Sequence, residues 1–112
     1  MEKQKRRKQW TKRKASEIKR QTWLIHQLQD HLTEVKHGLI ARMKRENRGD
    51  LRAPLFKAFD PIQDYSNSVL SGIFEDGPQQ HDRMDHLLDY GYERIDKAFH
   101  EISNLFNKPK YN

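Results

Sequence analysis

Between Trp23 and Met43, the aliphatic residues Ile25, Leu28, Leu32, Val35 and Leu39 recur at alternating spacings of three and four. On a helix that rhythm draws one apolar seam down a single face. A helix cannot bury such a seam alone, so another helix must lie against it. Residues 15–46 contain no proline and a single glycine, Gly38, which predicts a helix of about nine turns. Ser16 is placed to help start it. Trp23, Ile40 and Met43 fall off the seam and give more apolar surface than one facing helix covers. Asn47-Arg48-Gly49-Asp50 reads as the stop, with Gly49 in a left-handed cap or turn.

The second half carries its own helical patterns. Leu51 to Phe59 reads as a connector containing Pro54, and Asp60-Pro61 as N-cap and first helical position. Ile62, Tyr65, Val69, Leu70 and Ile73 then form a stripe. Asp76-Gly77-Pro78 either ends that segment or kinks it. A last helix is predicted from about Pro78 to Asn107, with a seam of Met84, Leu88, Gly91, Ile95, Ala98, Ile102 and Leu105. Beside it, Tyr92, Phe99 and Phe106 recur at sevens, widening the apolar face beyond what a two-helix contact needs. At 1.5 Å per residue, arms of residues 4–47 and 61–107 would span roughly 66 and 70 Å. The expected fold is therefore all-α. It is an elongated antiparallel hairpin with a long first helix, a Pro-containing connector and a kinked or split second arm, completing a bundle with a partner. Residues 18–107 would form that domain, between a basic arm (1–17) and a short tail (108–112).

Composition supports an elongated helical shape. Only 34% of the 112 residues are hydrophobic and another 34% are charged, with a mean hydropathy of −1.14. A globular domain is nearer 45–50% apolar. There are no cysteines, which removes disulfides and thiolate metal sites. No run approaches the length of a membrane span, and no apolar region follows the basic N-terminus. A cytoplasmic protein without a Sec signal is expected. The net charge of +6 is unevenly spread. Residues 1–57 hold seventeen Lys/Arg against six Asp/Glu, and residues 58–112 hold five against ten. The two halves can attract each other, or the basic half can meet an acidic partner. The arm concentrates Lys5, Arg6, Arg7, Lys8, Lys12, Arg13 and Lys14 and has almost nothing apolar to pack, so it is expected to be partly disordered when free.

Chemistry is sparse. His81, Asp82, Asp85 and His86 place two His/Asp pairs four apart on one helix, which superficially matches a metal site but lacks a second cluster. Surface residues obeying the helix dipole explain them better. No constellation of nucleophile and base, and no phosphate-cradling glycine loop, is present. The reading is a non-enzymatic protein without metal, cofactor or small-molecule substrate. A basic arm running into Ile18, Ile25, Leu32 and Leu39 at sevens also suggests a homodimeric basic-helix nucleic-acid binder, although the asparagine and arginine spacing that reads base edges is missing.

A cysteine-free helical hairpin of about a hundred residues resembles the small WXG-like proteins of type VII secretion, in particular the helical partners of LXG toxins in Gram-positive bacteria. Tyr92-Glu93-Arg94-Ile95-Asp96 matches the Tyr-x-x-x-Asp/Glu export pattern of such families, and Phe56-Lys57-Ala58-Phe59-Asp60 its Phe-x-x-x-Asp variant. The resemblance implies a targeting factor or chaperone that binds the toxin's N-terminal helical domain beside a second small hairpin protein and is co-exported with it. On that reading Trp23, Ile40, Met43, Tyr92, Phe99 and Phe106 face the partner. The hairpin seam is Ile25, Leu28, Leu32, Val35 and Leu39 against Met84, Leu88, Ile95, Ile102 and Leu105.

Overall fold

The computed structural model describes residues 11–110. Three helices account for most of them: α1 (Lys12–Arg45), α2 (Arg52–Asp76) and α3 (His81–Leu105), with a short 3-10 turn at Gly49–Leu51. The molecule is all-α and elongated, about 62 × 27 × 17 Å. The long axis follows α1, whose 34 residues span about 51 Å.

Two sets of hydrogen bonds fix the topology. At one end the Gln21 side chain pairs with Gln79, just before α3. At the other, Arg48, just after α1, reaches the carbonyls of Phe106 and Lys108 beyond α3. So α1 and α3 run parallel. Between these ends Gln29 donates to Ser66 and Asn67, and Ile25 packs in one cluster with Ile73, so α2 runs antiparallel to both. The second arm is split, and the split is a reversal: α3 returns alongside α1 and completes a three-helix bundle within the chain. The matched arms of roughly 66 and 70 Å do not form.

Local chemistry explains the turns. Thr11, not Ser16, caps α1: its hydroxyl accepts the Lys14 amide at 3.1 Å, and the helix begins earlier than its apolar pattern. After α1 the left-handed residue is Asn47 (φ 54°) rather than Gly49; asparagine tolerates that conformation through its short polar side chain. Gly77 sits at φ 95°, ψ −176°, a region open essentially to glycine alone. Pro78 follows without an amide hydrogen to continue α2. The buried Gln21 amide then donates to the Gln79 carbonyl (2.8 Å) and accepts its N–H (2.9 Å), tying the reversal to α1. Gln21 lies four before Ile25, the polar member of the seam.

Pro61 is not a first helical residue. It lies well inside α2, which starts nine residues earlier at Arg52. An interior proline costs about 3 kcal/mol. Leu51, Leu55 and Phe59, all fully buried, each return about 1.5–3 kcal/mol, so the longer ordered segment wins. The inward stripe Leu55, Phe59, Ile62, Ser66, Val69, Ile73, apolar except for the buried Ser66, runs through the proline.

The core extends along the whole bundle. Leu28, Leu32, Leu39, Met43, Leu51, Leu55, Phe59, Ile62, Ile95, Ala98, Ile102 and Phe106 form one cluster, with Val35, Ile40 and Leu105 at its edge. Ile25, Ile73 and Met84 form a second, flanked by Ile18 and Leu88. Gly91 lets Leu28 of α1 pack directly against α3: a Cβ there would meet a Leu28 methyl at 2.7 Å.

Candidate partner-binding surface

The expected outer face divides once the bundle is closed. Met43 and Phe106 are buried, Phe106 at 8% exposure, so neither is available to a partner. The third helix takes the place that a partner's helix was expected to fill. Ile40 is half-buried against the core. Trp23 is 59% exposed and stands apart from the α1 core residues, about two-fifths of a turn round from Ile25. Tyr92 and Phe99 are each 39% exposed.

Tyr92 and Phe99 mark the boundary between α1 and α3. The Tyr92 ring lies 5.5 Å from that of His31 on α1. Fourteen residues on, the Arg42 guanidinium of α1 covers the Phe106 ring at 4.1 Å. Phe99 lies midway on the same stripe and touches its neighbour His100 edge-on at 5.5 Å. One row of three aromatics therefore passes from a half-open Tyr to a covered Phe.

The second candidate motif has a structural account. Phe56 is half-buried, with Lys36 and Arg52 over its ring at 5.5 and 5.6 Å. Asp60 is exposed on the next turn of α2. Asp96 is exposed and lies 3.5 Å from His100.

At the other end, the first turn of α1 carries Lys12, Arg13 and Lys14 and no acid. Cations at the positive end of a helix dipole oppose folding by a few tenths of a kcal/mol to about 1 each, so helix stability does not account for them. Nearby, Arg20 bonds Glu17 at 2.6 Å and approaches His81 at 3.5 Å. The hydrogen bond from Arg20 holds the Glu17 carboxyl below its usual range. Lys5, Arg6, Arg7 and Lys8 lie outside the described residues. Among the described residues no group of three His, Asp or Glu could hold a metal ion; His81, Asp82, Asp85 and His86 are exposed on α3. No helix of the described residues is long and apolar enough to cross a membrane. The zipper residues Ile25, Leu32 and Leu39 are buried inside the bundle and are not free to pair with a second copy.

On the α2–α3 side, Tyr65 donates to the Leu87 carbonyl at 2.7 Å and stacks obliquely on Tyr90 at 4.9 Å. Burial, and then the neighbouring Tyr90, push the Tyr65 hydroxyl above its ordinary value of 10. A raised folded-state value means that this contribution is complete below pH 10 and is lost as pH rises through the folded value. Tyrosinate absorbance should therefore show one late titrating residue, absent in Tyr65→Phe. That variant should also lose about 1 kcal/mol of stability, the usual worth of one hydrogen bond. A titration unchanged by Tyr65→Phe would contradict this assignment.

No protein-family model matches the chain, and no curated protein or solved structure is significantly similar to it.

Proposed function

We propose that this chain is a non-enzymatic helical adaptor that binds the N-terminal helical domain of a larger, LXG-like toxin and serves as its targeting factor or chaperone for type VII export. The single observation that carries the binding role is the exposed Tyr92–Phe99 pair. Two large rings one heptad apart lie partly in solvent at a helix–helix boundary, on the stripe that ends in the buried Phe106. Aromatics so placed act as anchors for an amphipathic helix of a partner. The match of Tyr92 and Asp96 to the export pattern supplies the finer assignment. The adaptor is cytoplasmic and leaves with its toxin, beside which a second small hairpin protein can pack.

Tyr92→Ser combined with Phe99→Ser should abolish co-purification with a toxin encoded beside this gene while leaving helicity and thermal midpoint nearly unchanged, since both rings are partly exposed. Undiminished co-purification would sink the proposal.

One observation favours a second reading. The first α1 turn holds basic residues and no acid, and the sequence before it is basic too; such a stretch suits a nucleic-acid backbone, bound by a single bundle rather than a zippered dimer. Deleting residues 1–14 should then remove binding to duplex DNA, and log affinity should fall steeply with log salt, reflecting several phosphate contacts. A flat salt dependence would exclude it.

A further inference from the structure

The flank of α3 turned away from the Tyr92–Phe99 stripe carries a second feature. There α2 presents Pro54, Ala58 and Pro61 towards Ala98 of α3. Small and ring-closed side chains on facing helices leave an open trough of about 700 Å³, within the size range of ligand-binding clefts. Its rim holds Lys57 from α2 and Arg94 and Lys97 from α3, against one acid, Glu101. None of the three cations takes part in an ion pair among the described residues. Two of the three cations, Arg94 and Lys97, stand in the acidic half of the chain, where residues 58–112 have only five Lys/Arg against ten Asp/Glu.

We infer that the trough between α2 and α3 is a docking site for an acidic amphipathic helix of a partner protein. Charge selects the sign of the occupant. The chain's own residues 1–10, with Lys3, Lys5, Arg6, Arg7 and Lys8 against Glu2, would be repelled. Backbone chemistry selects its form. Both walls are helices whose amides are already used, so an extended peptide would find no ladder of partners, whereas a helix satisfies its own backbone. Length agrees as well: Ala53 to Pro61 spans about 12 Å and Arg94 to Leu105 about 17 Å, two to three helical turns. Aliphatic residues at three- and four-residue spacing would enter the trough, and Asp or Glu on either side would meet Lys57, Arg94 and Lys97. Pro61 also lacks the amide hydrogen that would normally bond the Lys57 carbonyl, so that wall offers an acceptor to a polar side chain of the occupant.

The test is selection of a displayed library of helical peptides, randomised on all faces, on the intact chain. Enriched peptides should carry acids beside an apolar stripe. They should lose at least ten-fold in affinity on Arg94→Glu/Lys97→Glu, and on the milder Arg94→Gln/Lys97→Gln, with salt weakening the wild-type complex. They should keep it on Tyr92→Ser/Phe99→Ser, so that failure here is distinct from failure of the aromatic surface. Peptides without an acidic excess, no enrichment at all, or affinity indifferent to the Arg94 and Lys97 changes would overturn the inference. A doubled mass in light scattering that the charge reversal abolishes would assign the trough to a second copy and equally overturn it.

Discussion

Phe59→Ala is expected to cost about 3–5 kcal/mol, the range for truncating a large ring in a packed core. The ring is fully buried, two residues before Pro61 on α2, and belongs to the cluster joining all three helices. Domains of this kind hold about 5–15 kcal/mol in total, so the loss takes a large share of the stability. Urea unfolding followed by circular dichroism measures it. The result also discriminates between two readings of residues 51–59. In a loose connector the same truncation would fall within the roughly 0.5 kcal/mol typical of surface changes. A loss that small would contradict an ordered first half of α2.

Arg48→Met should be comparably damaging, at about 3 kcal/mol or more, as when one member of a buried ion pair is removed. Arg48 is buried in the turn after α1 and makes a bidentate pair with Asp50, 3.1 Å to each oxygen. The same guanidinium donates to the carbonyls of Phe106 at 3.1 Å and Lys108 at 2.9 Å. It thus holds the end of α3 against the α1–α2 turn. Arg48→Lys keeps the charge but not the planar fork, so it should recover only part of the loss. Hydrogen exchange should show the last turn of α3 opening first in both variants. Equal protection there in wild type and Arg48→Met would refute the clamp.

Much of this arrangement is visible in residue order. The three- and four-residue rhythm of Ile25, Leu28, Leu32, Val35 and Leu39 and its counterpart from Met84 to Leu105 specify two long amphipathic helices, because burial of one stripe per helix leaves few alternatives. Gly77-Pro78 marks the break, since glycine alone tolerates the required conformation and proline cannot continue a ladder. The heptad Tyr92, Phe99, Phe106 places an aromatic row beside the seam.

Periodicity names a helical face but not its neighbour, and the neighbour is what the tertiary structure decided. Gly77-Pro78 stops α2, and Gln21, whose buried amide bonds both backbone groups of Gln79, fastens the returning chain to α1. Residues 51–59 became helix because Leu51, Leu55 and Phe59 found a core to enter, a gain that outweighs Pro61. Met43 and Phe106 went inside with them, while Tyr92 and Phe99, on the same stripe as Phe106, stayed half in solvent. Sequence alone determined an all-α chain of amphipathic helices with a basic arm, because helical spacing and charge are local properties. Which apolar residues became core and which remained for a partner depended on how α3 sits against α1, a property of contacts between residues about sixty positions apart.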